Sequence, residues 1–187
     1  MEKIYITGTG RCGTTFLIKL FSFLKFDTGF TKENYMNSIN KICNSGMEKK
    51  YNDKFRIIKN PRIIHDISYI LRDSNIKIST IIIPIRNYKM SAISRVKNKN
   101  NKGGYGGLWN ASDEITQINF YNEIMANYLY YMTKYEINTV FLDFDKMISD
   151  KLYLYLKIKN ILDKENITLD MFSSVYDEVT ISSKPTP

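Results

Sequence analysis

Ile4-Tyr5-Ile6-Thr7-Gly8-Thr9-Gly10-Arg11-Cys12-Gly13-Thr14-Thr15-Phe16 is the stretch on which the reading of this chain turns. A short apolar, β-branched run is closed by glycine, and an apolar helix starts at the two threonines. Strand, turn and helix in that order put a loop of backbone N–H groups before a helix N-terminus, where aligned peptide dipoles favour an anion. The expectation is a phosphate-binding loop made by Gly10, Arg11, Cys12, Gly13, Thr14 and Thr15. The two threonine hydroxyls either add contacts to the anion or cap the helix.

Gly8 and Gly13 keep the spacing of the NTPase loop G-x-x-x-x-G-K-[ST], but Thr14 stands where a lysine would reach the β- and γ-phosphates. The loop therefore predicts phosphate binding and argues against ATP hydrolysis. Arg11 lies within it, and a guanidinium there reaches a bound phosphate and any charge developing on a bridging oxygen. Cys12 invites a rival reading as a nucleophile, because a helix N-terminus lowers a thiol pKa. A phosphatase loop of the Cys-x5-Arg type needs arginine at position 18, which is Ile18. Cys12 thus reads as a small loop residue whose backbone matters.

Outward from the loop, strands alternate with helices. Residues 3–7 read as a buried strand and 14–26 as a helix, with Lys19, Ser22 and Lys25 forming one narrow wet stripe. Residues 31–47 are polar and weakly patterned, with room for a short helix. Residues 55–59 make a second strand, halted by Asn60-Pro61, and a helix follows over 62–72. Residues 76–85 are the most hydrophobic strand, hence central, and Asn87 caps a helix over 88–97. The Lys/Asn/Gly run over 97–107 predicts a mobile loop. Ser112 with Asp113 and Glu114 opens a long helix to Tyr135, with Ile115, Ile118, Met125, Leu129 and Met132 near one face and tyrosines as packing residues. Residues 137–143 are the last strand and 150–163 the last helix. The alternation predicts an α/β fold of three layers, α/β/α, around a central parallel sheet of four to five strands. Ligands of such sheets sit at the carboxyl ends of the strands, where the loop, Lys59 and Arg86 gather.

The 187 residues suffice for one domain, 1–187, with a core over 3–163 and a C-terminal tail over 164–187. A composition of 43% hydrophobic and 25% charged residues is ordinary for a soluble globular chain. The net charge of +8 and pI near 9.3 suit an anionic ligand. Charge alone argues for association and not for a site, so no nucleic-acid partner is expected. Two cysteines, Cys12 and Cys43, make no disulfide framework and fit a reducing compartment. The apolar run from Phe16 to Phe26 is too short to span a bilayer and carries Lys19 and Lys25. With no transmembrane segment and no secretory signal, the expected location is cytoplasmic.

A second constellation lies in Ile82-Ile83-Pro84-Ile85-Arg86-Asn87-Tyr88-Lys89-Met90-Ser91-Ala92-Ile93-Ser94-Arg95. Arg86 ends a strand, and Ser94 follows two helical turns into the next element. Together they are placed to clamp a second phosphate, remote from the first loop.

Arg11-Cys12-Gly13-Thr14-Thr15 resembles the 5′-phosphosulfate loop of the sulfotransferases, usually Lys/Arg-Ser-Gly-Thr-Thr, and Arg86 with Ser94 resembles that family's 3′-phosphate motif. Phe55-Arg56-Ile57-Ile58-Lys59-Asn60-Pro61-Arg62 is similar to the family's middle strand ending in Lys-x-Pro. The likeness covers about residues 3–160 and is to a compact member of bacterial type. It implies a 3′-phosphoadenosine 5′-phosphosulfate donor (PAPS), the product adenosine 3′,5′-bisphosphate, no required metal, and a small-molecule or glycan acceptor presenting a hydroxyl or amine. Arg11 and the loop would stabilise the departing phosphate oxygen, and Lys59 the bridging or sulfuryl oxygens. A general base is also needed. Family precedent points to Glu33, on the segment after the first helix, or to His65, after the middle strand. Lys102-Gly103-Gly104-Tyr105-Gly106-Gly107-Leu108-Trp109 is a candidate lid over the site, with Trp109 more suited to packing than to stacking on a base.

Two alternatives stay open. A P-loop nucleotide or small-molecule kinase is suggested by Val140-Phe141-Leu142-Asp143, a strand ending in a candidate magnesium-binding aspartate. A catalytically inactive nucleotide-binding or interaction module is favoured if neither Glu33 nor His65 reaches the loop. The acceptor and the oligomeric state have no sequence signal.

Overall fold

A computed structural model describes residues 2–40, 43, 45–100 and 106–183. Strand β1 (Glu2–Ile6) lies between β4 (Ile57–Lys59) and β5 (Lys77–Ile85), and β6 (Thr139–Asp143) pairs with the far side of β5. All three pairings are parallel, with Ile4 opposite Ile57 and Ile82 opposite Val140. The sheet therefore has four strands in the order β4-β1-β5-β6, with β1 and β5 central. A short antiparallel pair, β2 (Ile39–Asn40) and β3 (Ser45–Gly46), stands apart from it.

Strand side chains alternate between two apolar layers, as period-two geometry requires of a sheet covered on both faces. Ile4, Ile6, Ile57, Ile82 and Leu142 pack beneath α1 (Thr14–Phe23), α6 (Lys151–Leu162) and α7 (Leu169–Ser183). Tyr5, Ile58, Ile81 and Ile83 face α2 (Ile63–Ile70), α3 (Tyr88–Lys97) and α4 (Glu114–Lys134). The short helix α5 (Phe144–Ser149) follows β6 and buries Met147 in the first layer. This is a three-layer α/β/α fold. Among the described residues no helix is long and apolar enough to cross a membrane.

Three expectations are corrected. The segment expected as a C-terminal tail contains α7, whose Phe172, Tyr176 and Val179 are buried. Tyr176 meets Phe16 of α1 edge-on at 5.7 Å between ring centroids. Because α7 covers α1, the supposed wet stripe is largely dry: Lys19 and Ser22 are buried, and only Lys25 is exposed. Lys19 donates to the Ser182 carbonyl at 3.2 Å, and Ser22 shares a hydrogen bond with Thr28.

The third concerns α4. Ile115 and Leu129 are exposed, and the face turned to the sheet is Gln117, Tyr121, Ile124 and Tyr128. Each buried tyrosine has a partner for its hydroxyl, Arg95 for Tyr121 and Thr139 for Tyr128, so the polar tip is no bar to burial. Asp113 caps α4 by accepting from the Thr116 N–H at 2.8 Å. In the weakly patterned segment 31–47, a 3-10 turn at Tyr35–Ser38 precedes β2. Residues 101–105, part of the expected mobile loop and lid, lie outside the described residues.

Candidate functional site

The loop after β1 takes left-handed backbone at Gly10 (φ 77°), Arg11 (φ 56°) and Gly13 (φ 89°). At two of these positions a side chain would also require a neighbour to move. A Cβ on Gly10 would fall 2.1 Å from the Arg95 guanidinium, and one on Gly13 would fall 2.5 Å from the Met147 methyl. Gly13 is the N-cap of α1 and supplies no side-chain acceptor, so the first-turn N–H groups of that helix have no side-chain cap. The Cys12 side chain is fully buried in the loop. Burial pushes its thiol pKa up, with the Gly10 N–H beside the sulfur acting the other way. A buried neutral thiol does not serve as a nucleophile.

Three arginines surround this loop. Arg86, at the end of β5, donates to the Arg11 carbonyl at 3.1 Å and stacks 4.6 Å from the Phe144 ring centroid. Arg11 donates through Nε to the Ser94 hydroxyl at 3.0 Å and through a terminal nitrogen to the Cys43 carbonyl. Arg95 is 8% exposed and donates to the Tyr121 hydroxyl, the Gly107 carbonyl and the Thr9 carbonyl. Among the described residues no carboxylate pairs with any of the three. Burial lowers the Arg11 pKa from its ordinary value, and the neighbouring Arg95 and Arg86 charges act in the same direction.

The end of β4 is arranged differently. Lys59 is 1% exposed; it donates to the Gly46 carbonyl at 2.7 Å and pairs with the Glu48 carboxylate. Burial lowers the Lys59 pKa, and Glu48 opposes that shift.

A cavity of about 770 Å³ joins the two arrangements. Gly10, Arg11, Gly13, Thr14, Thr15, Arg86 and Arg95 line its loop side, and Lys59, Glu48, Cys43 and Ser45 another wall. Phe16, Lys19, Ile148, Thr180 and Ser183 extend it along α1 to the last turn of α7.

Of the two expected bases, neither is among the described residues lining this cavity. Glu33 is exposed, and its pKa is lowered chiefly by a hydrogen bond from the Thr31 side chain, which makes it a poorer base. His65 is half exposed, pairs with Asp66 at 2.8 Å, and lies 6.4 Å from Trp109 and 6.1 Å from Phe120, ring to ring. The cause is local geometry: Glu33 sits on a turn directed to solvent, and His65 on the α2 side of the sheet beside α4. Trp109 is a packing residue, clamped by Gln117, which bonds both its N–H and its carbonyl. Asp143 caps α5 by accepting from the Lys146 N–H at 2.8 Å, so its carboxylate has a structural role at the strand end.

Cavity residues that escaped sequence reasoning include Glu48, Arg95, Phe144 and Thr180. Arg95 is adjacent to Ser94 and invited inspection; Glu48 had no signal, because only the fold brings it to Lys59. Compared with family models, curated proteins and solved structures, the chain matches none.

Proposed function

We propose that this chain transfers a sulfuryl group from 3′-phosphoadenosine 5′-phosphosulfate to a hydroxyl or amine acceptor. The observation that carries the reading is the set of guanidiniums, Arg11, Arg86 and Arg95, gathered on a glycine loop with no carboxylate to neutralise them among the described residues. Buried or half-buried cations without a counter-ion are costly, and a polyanionic ligand removes that cost. The uncapped first turn of α1 fits the same ligand. Residues 10–15 would hold its 5′ end; Arg86 and Ser94, expected remote from the loop, both bond Arg11 instead, so Arg86 would take the 3′-phosphate at a place adjoining the loop. The donor supplies an activated sulfuryl group.

Arg11 and Lys59 are then the cations that take up charge on the leaving oxygen. Glu48 takes the role assigned in sequence to Glu33 or His65: it lines the cavity, contacts Lys59, and is an oxygen base for the acceptor proton. A second reading has support from the positions of Glu33 and His65, namely an anion-binding module that performs no transfer.

Calorimetry separates these. The expected result is magnesium-independent binding of adenosine 3′,5′-bisphosphate, weakened roughly 100-fold by Arg86→Ala through loss of charge-assisted bonds. Magnesium-dependent binding of ATP, with none of the bisphosphate, would instead make the chain a kinase. Bisphosphate binding without sulfate transfer across an acceptor screen with labelled donor would leave the module.

A further inference from the structure

Arg95 has a place that phosphate binding alone does not explain. Its three hydrogen bonds go to three separate elements: the Thr9 carbonyl of the loop at 3.1 Å, the Gly107 carbonyl, and the Tyr121 hydroxyl of α4 at 2.6 Å. Its guanidinium also lies 5.5 Å from the Trp109 ring centroid. Gly10 passes so close over it that a side chain there would displace the guanidinium from its partners.

The peptide bond is planar and trans, so the carbonyl of Thr9 and the N–H of Gly10 point to opposite edges. By holding that carbonyl, Arg95 turns the Gly10 N–H away from itself, to the side where the Cys12 sulfur lies. A planar fork with several donors in fixed directions performs this; a lysine ammonium offers one point charge and loses at least one of the three partners.

We infer that Arg95 is a positioning residue that holds the anion loop and the Gly106–Trp109 segment in one frame, so that filling the loop is registered at Trp109. The inference rests on the anion-site reading above. Gly106 lines the same cavity, Gln117 fixes the Trp109 backbone to α4, and the indole packs on Phe120 and faces the Arg95 guanidinium, so a shift of the guanidinium would change the surroundings of a ring whose backbone is held. Trp109 is the single tryptophan of the chain, which gives the relay a clean optical signal.

The experiment titrates the full chain with adenosine 3′,5′-bisphosphate while recording tryptophan emission, with calorimetry in parallel. In the wild type, emission is expected to change saturably with the midpoint of the heat signal. Arg95→Lys is expected to bind roughly ten-fold more weakly, the equivalent of one lost charge-assisted bond, and to lose the emission change. A circular-dichroism melt verifies that this variant is folded; if it is not, Tyr121→Phe, which removes only one partner of Arg95, is expected to weaken the emission response. Wild-type heat without an emission change overturns the relay and leaves the anion site standing. Wild-type affinity and response in Arg95→Lys, or an undiminished response in the Tyr121→Phe fallback, overturns the relay too. Absence of any wild-type heat overturns the anion-site reading and the relay with it.

Discussion

The two ends of the cavity handle buried positive charge in opposite ways. Around the loop, Arg11, Arg86 and Arg95 bond carbonyls, hydroxyls and aromatic faces, and meet no carboxylate among the described residues. At the end of β4, Lys59 is more deeply buried than any of them and is paired with Glu48. A region of unpaired guanidiniums is suited to a ligand that brings its own negative charge. A self-neutralised lysine–glutamate pair is suited to holding and moving a proton. In the transfer proposed above, the polyanion would lie at the loop and the acceptor at the β4 end.

The most severe way to break this contrast is Glu48→Gln, which keeps the shape and removes the base. Turnover on an acceptor found by screening is expected to fall by about 100-fold or more, with bisphosphate affinity unchanged by calorimetry. Full turnover in that variant would make the β4 end structural and return the search for a base to the rest of the cavity.

The next test is of stability against pH. Burial lowers the Lys59 pKa in the folded chain, so the folded state releases this proton before the unfolded state does. Between that lowered value and the ordinary lysine value of 10.5, the unfolded state binds more protons and stability rises with pH. Lys3 and Lys19, also lowered by burial, act in the same direction. Cys12, held above its ordinary 9.0 by burial, opposes the rise once unfolded thiols ionise, and Tyr5, Tyr121 and Tyr128, held above their ordinary 10.0, add to that opposition at higher pH. The Lys59 contribution is read as a difference: thermal melts of the wild type are expected to gain on those of Lys59→Met as pH rises below the ordinary lysine value of 10.5. Parallel curves for the two proteins would show that Lys59 carries no desolvation penalty.

The smallest expected effect sharpens the other end. Arg86→Met, measured without any anion, removes one of three mutually repelling charges and is expected to leave the melting temperature unchanged or slightly raised. The same variant is expected to lose most of the thermal stabilisation that bisphosphate gives the wild type. A large drop in the anion-free melt would mean that the stack on Phe144 matters more to folding than charge relief.

Much of this was legible in the chain itself, element by element. The strand-loop-helix at Glu2–Phe23, the Asn87 cap and the long helix opened by Asp113 depend on local chemistry: glycines that accept left-handed backbone, side-chain oxygens that accept orphan N–H groups, and apolar runs of strand length. Arg11 and Arg86 line the cavity as their places after strand ends led one to expect, whereas Ser94 is not among the described residues lining it and meets Arg11 instead. Glu33 and His65 were chosen by their place in the chain order, and the fold puts one on an exposed turn and the other on α2 beside α4, away from the described cavity lining. The α4 face was misjudged for a related reason, since hydropathy undervalues a tyrosine whose hydroxyl has a buried partner.

What the sequence determined by itself is therefore the alternation of strands and helices, the glycine loop between the first strand and helix, and the cations at the strand ends, because these are set by residues close together in the chain. Tertiary structure alone decided that Glu48 meets Lys59, that α7 closes over α1 to wall the cavity, and that Arg95 lies beneath Gly10. Those contacts join residues 11 to more than 160 positions apart. They form because burial rewards whichever distant groups satisfy one another, a pairing that local pattern does not encode.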